Sequence, residues 1–252
     1  MKRKIISMIL GTAIAASLLT GCGGSQQAAA TTAAAAGDTT AAAADSAAAA
    51  DAAAEAAKAA TGEGKKVGVA MPTQSSERWI NDGANMKKQL EALGYEVDLQ
   101  YASNDVQTQV SQVENMISNG CEMLVIASID GSSLGEPLGQ AKEAGIPVIS
   151  YDRLLMNSDA VTYYATFDNY MVGQKQGEYL VKALGLEGND GPFNIEMFTG
   201  DPADNNCNFF FGGAMDVLQP YIDSGKLVVK SGQTTFEQVA TANWDSEKAQ
   251  NR

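Results

Sequence analysis

Apolar positions along this chain fall into short continuous runs that alternate with stripes at helical spacing. Lys66–Met71 is such a run and predicts a strand. Met86, Leu90 and Leu93 then share one helical face, which predicts a helix over Trp79–Leu93 with Gly94 as its stop. The cycle restarts with a strand at Tyr95–Tyr101 and a stripe of Val106, Val110, Val113 and Ile117 closed by Gly120. A continuously apolar strand at Cys121–Ser128, a helix at Leu134–Ala144 closed by Gly145, and a strand at Ile146–Tyr151 follow. The closing glycines recur roughly every 25 residues, the length of a strand-plus-helix unit. Strands that are apolar throughout belong to parallel sheets covered on both faces. The predicted fold class is α/β.

The alternation continues with strands at Val161–Phe167, Phe193–Phe198 and Leu227–Lys230, and helices at Met171–Leu184 and about Phe210–Tyr221. From Trp244 to Arg252 a further helix is expected to begin and then stop.

The N-terminus follows a different pattern. Lys2, Arg3 and Lys4 precede an apolar run, Ile5–Leu19, which reads as a signal peptide and is too short to span a bilayer permanently. It ends in Leu19-Thr20-Gly21-Cys22, which resembles a bacterial lipobox, so residues 1–21 are expected to be removed and Cys22 to carry a lipid. The alternative is ordinary secretory cleavage that leaves Cys22 a thiol. Residues 22–64 are almost wholly Ala, Thr, Gly, Ser and Asp, offer no large apolar side chain to bury, and read as a tether reaching about 35 Å root-mean-square if flexible. Within it, Ala47–Ala60 is rich enough in alanine to be transiently helical. The chain is therefore expected outside the cytoplasmic membrane.

Charge and composition narrow the function. The formal net charge is −13, and loss of the three N-terminal cations makes the mature chain more negative, which argues against nucleic acid as a partner. There is no histidine, which removes the usual general base and the commonest metal ligand; neither a metal nor a cofactor is expected. Beyond Cys22 only Cys121 and Cys207 remain, so no disulfide framework is indicated.

In open parallel sheets ligands bind at the carboxyl ends of the strands. Four segments fall there: Glu77-Arg78-Trp79, Ser128-Ile129-Asp130, Asp152-Arg153 and Asp204-Asn205-Asn206. They gather carboxylates, guanidiniums, amides and an indole, the groups a sugar needs, since its hydroxyls donate to carboxylates and accept from Arg or Asn while its C–H face covers an aromatic plane. Each has a plainer reading. Trp79 could be core, Asp152 and Arg153 a solvated pair, and Asp204-Asn205-Asn206 a helix cap.

The segments Glu77-Arg78-Trp79, Leu124–Asp130, Tyr151-Asp152-Arg153, Ala165–Asn169, Asp204-Asn205-Asn206 and Leu218–Lys226 resemble the monosaccharide-binding branch of the type I periplasmic binding proteins, the branch of the multiple sugar-binding and xylose-binding proteins. The resemblance runs over residues 65–252. It implies two Rossmann-like lobes joined by three crossings, here a first lobe at 65–167 and part of a second at 168–252, with the chain continuing further in the family. It also implies that a monosaccharide of the aldose type is held between the lobes and delivered by a monomeric receptor to an ABC permease in the membrane. By position, Arg78 would hydrogen-bond the sugar, Trp79 would stack on it, Asp152 and Arg153 would complete that side, and Asp204 and Asn206 would contribute from the other. Gln238 stands where the xylose-binding relative has a Trp, leaving Phe236 as a weak candidate for the second aromatic.

No G-x-G-x-x-G follows the first strand and no Walker loop is present, which argues against a dinucleotide-dependent enzyme. A sugar-responsive repressor would need a helix-turn-helix where this chain has a leader and tether. A sugar sensor presenting occupancy to a chemoreceptor or histidine kinase is the alternative that the residues do not separate from transport. Metabolic labelling with a fatty-acid analogue is expected to mark the wild type and not Cys22→Ser; equal labelling of both would remove the anchor.

Overall fold

The computed structural model describes residues 62–252. The expected signal peptide, Cys22 and nearly all of the tether lie outside the described residues.

Five parallel strands form the first sheet, in the order β2-β1-β3-β4-β5, with β1 Lys66–Met71, β2 Glu96–Tyr101, β3 Met123–Ile126, β4 Val148–Tyr151 and β5 Val161–Ala165. Helices α1 (Glu77–Ala92), α2 (Val106–Ser118) and α3 (Gly135–Glu143) connect the first four strands. One layer of core gathers Met116, Leu124, Ile126, Leu138 and Val148, and the other gathers Val67, Val69, Met71, Trp79 and Val125. Burial on both sides explains why β1 and β3 are apolar throughout. Gly94, Gly120 and Gly145 take φ of +89°, +79° and +69°, the left-handed conformation that ends a helix without a Cβ penalty.

A second, two-stranded parallel sheet pairs β6 (Phe193–Ile195) with β7 (Leu227–Val229). Beside it run α4 (Asn169–Leu184) and α5 (Asn206–Asp223), then the short α6 (Phe236–Val239) and α7 (Ser246–Gln250). Helices α4 and α5 cross at glycines. A Cβ on Gly173 would stand 2.2 Å from the carbonyl oxygen of Phe210, and one on Gly213 would stand 2.1 Å from that of Tyr170. Backbone therefore meets backbone, and the first turns of both helices are brought side by side.

Elements match their expected places, and boundaries differ where local chemistry overrides the apolar pattern. Helix α4 starts two residues before the expected Met171 because Asp168 accepts from the Met171 N–H at 2.9 Å and caps it. Helix α5 begins at Asn206, four residues before its apolar stripe, because Asp204 Oδ1 accepts from the Asn206 N–H at 3.0 Å. Strand β6 covers only Phe193–Ile195 of the run to Phe198, in register with the three residues of β7.

These glycines give a paired prediction. Gly173→Ala should lower stability by about 1–3 kcal/mol because α4 and α5 must separate. Gly139→Ala, in α3 with nothing within 4 Å of the added carbon, should raise it by roughly 0.5–1 kcal/mol. Urea titration reads both, and equal effects at the two positions would contradict the packing described.

Candidate functional site

The six residues that the family resemblance assigned to the ligand, Arg78, Trp79, Asp152, Arg153, Asp204 and Asn206, line one cavity of about 1080 Å³, whereas Ser128-Ile129-Asp130 and Asn205, also singled out at strand ends, are not among its lining residues. Asp152 and Arg153 follow β4, Arg78 and Trp79 open α1, and Asp204 and Asn206 lead into α5. The first sheet thus supplies one wall and the second the other.

Arg153 is the centre of this arrangement and is only 7% exposed. Its Nη1 donates to the carbonyls of Ser128 at 3.0 Å and Ile129 at 3.4 Å, at the end of β3. Its Nε faces Asp204 Oδ2 at 3.0 Å, a charge contact in which the N–H is not aimed along a hydrogen-bond axis. The loop that carries it is pinned by Ser150, whose hydroxyl donates to the Arg153 carbonyl at 2.7 Å and accepts from the Leu155 N–H at 2.9 Å. Gln109, fully buried in α2, fixes the β3 end by bonding Ala127 O and Ile129 N at 2.9 and 2.8 Å.

Asp152 sits in the left-handed region at φ +62°, a conformation Asp tolerates better than most residues. The turn aims its carboxylate at Arg78, Nη2 to Oδ2 at 2.8 Å, and its carbonyl at three donors: Thr166 Oγ1 at 2.9 Å, Asn206 Nδ2 at 3.1 Å and Tyr164 OH at 3.2 Å. Arg78 also donates from Nε to Asp82 at 3.1 Å. Burial works against the Arg78 charge, but Asp152 and Asp82 outweigh it and hold the guanidinium above its ordinary range.

Both guanidiniums lie against Trp79, with Cζ of Arg78 4.3 Å and Cζ of Arg153 5.2 Å from the ring centroid. The indole is 5% exposed and belongs to the apolar layer over β1, so it is core and cavity wall together. Such cation–π contacts are worth about 0.5–2 kcal/mol each.

Across the cavity, Asp204 is 3% exposed. Burial pushes its carboxyl upward, against Arg153, the Asn206 N–H and the Trp244 indole, which all favour the charge. Asn206 is committed on both ends of its amide: Nδ2 donates to Asp152, and Oδ1 accepts from Asn169 Nδ2 at 2.8 Å. Asp152 and Arg153 are not paired with each other in solvent, since Asp152 pairs with the half-exposed Arg78 and Arg153 with the buried Asp204.

Among the cavity residues that the sequence reading did not assign to the site, two make side-chain bonds to those it did. Asn169, at the start of α4, lines the cavity and orients the Asn206 amide; nothing in its spacing marks it. Trp244 lines the cavity at 45% exposure, with Nε1 donating to Asp204 Oδ2 at 3.1 Å and its ring laid on Gly200, where a Cβ would be 2.2 Å from it. Its segment is tied to the loop that follows β6 through Thr199 N to Val239 O and Thr241 N to Gly200 O, both 2.9 Å, then turns through left-handed Asn243 and Trp244. The available signal was a lone Trp outside any apolar stripe. Trp244 is thus not the start of a helix, which begins at Ser246. Phe236, the weaker candidate, packs edge-on against Phe211 at 5.8 Å and is not among the residues lining the cavity.

Cys121 and Cys207 are buried free thiols, pushed up to about 11 and about 12 by burial, which leaves them protonated and inert at neutral pH. No cluster of metal-ligating residues occurs among the described residues.

A family model described as a periplasmic binding protein domain matches residues 67–252. The chain belongs to that family. This binding protein is 58% identical over 186 residues to the multiple sugar-binding periplasmic protein SbpA of Azospirillum brasilense, an alignment covering 74% of this chain and 52% of the relative. It is 39% identical over 175 residues to the D-xylose-binding periplasmic protein of Escherichia coli, covering 69% and 51%. Among solved structures it superposes with a TM-score of 0.73 and 72% identity on an ABC transporter solute-binding protein from Clostridium phytofermentans with bound β-D-glucose, over 75% of this chain and 58% of that one. The chain spans about half the length of the curated relatives it matches. The family is one of binding proteins rather than enzymes, and its relatives are periplasmic.

Proposed function

We propose that the cavity holds a monosaccharide and that the protein is the extracytoplasmic receptor of an ABC-type sugar importer. The observation that carries this reading is the convergence of Arg78, Trp79, Asp152, Arg153, Asp204 and Asn206, the residues that the family resemblance assigned to a sugar, on a single cavity. Relatives named for sugars and a 72%-identical neighbour with bound glucose support it.

The geometry suggests a division of labour. Asp152 and Asp204 accept from sugar hydroxyls; an ionised Asp204 held against its burial gains most from an added donor. Arg78, half exposed on the first-sheet wall, donates to ring or hydroxyl oxygens. Trp244 offers the open aromatic plane, while Trp79 positions the two guanidiniums and meets the ligand with what remains of its surface. Residues 65–167 and 168–252 act as two lobes, with Asp152 contacting Asn206 and Arg153 contacting Asp204 where they meet. A lipid on Cys22 and the polar tether hold the monomeric receptor near its permease.

Calorimetry on the full-length protein tests the site. Asp152→Ala, Arg153→Ala and Trp79→Ala should each weaken aldose binding at least tenfold, since charge-assisted bonds are worth roughly 1.5–3 kcal/mol each. Circular dichroism checks that each variant folds, and Asp152→Asn serves as the milder substitution. Unchanged affinity in all three would place the ligand elsewhere.

A further inference from the structure

Helix α2 buries Gln109, Val113 and Met116 on one face, and Gln109 is the polar member of that face. It is not among the residues lining the cavity. A buried amide needs partners, and both of those it finds lie on the segment that leaves β3. Strand β3 ends at Ile126, with Ala127 still donating to the Ala70 carbonyl at 2.9 Å. Beyond that bond the sheet gives way to Gln109, whose Nε2 donates to the Ala127 carbonyl at 2.9 Å and whose Oε1 accepts from the Ile129 N–H at 2.8 Å.

These two bonds straddle Ser128. The carbonyls of Ser128 and Ile129 are the ones that receive Arg153 Nη1, at 3.0 and 3.4 Å. A carbonyl accepts well only near its lone-pair directions, so the pitch of these two peptides sets where the guanidinium rests. Arg153 in turn faces Asp204 at 3.0 Å and lies 5.2 Å from the Trp79 ring centroid. A side chain that only filled the core here would be served by an apolar residue of the same volume. The amide instead spans the three residues that hold Arg153 in place.

We propose that Gln109 is a positioning residue for the sugar site, setting ligand affinity from outside the cavity by fixing the two carbonyls that hold Arg153. The proposal rests on the sugar-binding reading and adds to it a residue that the ligand does not touch.

Calorimetry with glucose on the full-length protein tests this. Gln109→Met, which keeps the volume and removes both bonds, should weaken binding about fivefold or more, the size expected when a hydrogen bond of the site is misaligned. Gln109→Asn, one methylene too short to span both partners, carries the same expectation should Gln109→Met not fold. Val113→Ala, on the same buried face, should cost stability and leave affinity within about twofold. Gln109→Glu is the rescue: at about pH 5 a buried carboxyl is neutral, with an O–H for the Ala127 carbonyl and an oxygen for the Ile129 N–H, and affinity should return to within about twofold of wild type at that pH. In an Arg153→Lys background, Gln109→Met should cost less than about twofold more, because the fork it positions is gone.

Affinity unchanged in Gln109→Met and Gln109→Asn overturns the proposal, as does an equal loss in Val113→Ala, which would mark a general effect of destabilisation. Failure of Gln109→Glu to exceed Gln109→Met at about pH 5 overturns it too, and so does an undiminished loss in the Arg153→Lys background. All four outcomes leave sugar binding intact. Binding of neither glucose nor any other common aldose by the wild type overturns the sugar-binding reading itself, and the role of Gln109 with it.

Discussion

The ion pair between Arg153 and Asp204 joins the two sheets, and the rest of the site depends on keeping it charged. A guanidinium with 7% of its surface left to solvent and a carboxylate with 3% are both expensive to desolvate, by several kcal/mol per ion. Mutual attraction repays this only if the remaining donors and acceptors are satisfied. The Ser128 and Ile129 carbonyls, the Trp79 ring, the Asn206 backbone N–H and the Trp244 indole do that work. Loss of either partner would strand the other charge at a cost of about 3–5 kcal/mol, whereas the half-exposed Arg78–Asp82 pair is worth at most about 1 kcal/mol.

The fold delivers these groups by two devices. Parallel strands end on the same side of their sheet, so Ser128, Asp152 and Arg153 arrive together after β3 and β4. On the other side, the glycine crossing of α4 and α5 sets the first turns of two helices close enough for Asn169 to hold the Asn206 amide at 2.8 Å. Asp152 links the two through its left-handed turn, giving its carboxylate to Arg78 and its carbonyl to Asn206. The polar groups of this cavity are bonded to one another, an arrangement that lowers the ordering cost of any binding there.

How much of this was legible in the sequence follows from the range of each interaction. Apolar periodicity is local, so β1 through β4 and their helices could be placed, and with them the strand ends that carry Arg78, Asp152 and Arg153. Helix starts moved where a single carboxylate capped them, as Asp168 does for α4 and Asp204 for α5. Trp244 and Asn169 were missed because their roles exist only through partners distant in sequence, Asp204 and Gly200 for one and Asn206 for the other. Trp79 illustrates the opposite case: core and binding readings looked exclusive in the sequence, yet the ring is a buried wall of one layer and the surface on which both guanidiniums rest.

The central claim is that Arg153 and Asp204 act as one unit, and a double-mutant cycle on unfolding free energy tests it most directly. Arg153→Met and Asp204→Asn are each expected to destabilise the protein, and the double variant to lose less than the sum of the two, by about 1.5–3 kcal/mol, because it leaves no charge stranded. Additivity within about 0.5 kcal/mol would show that the two residues act independently and would contradict the account.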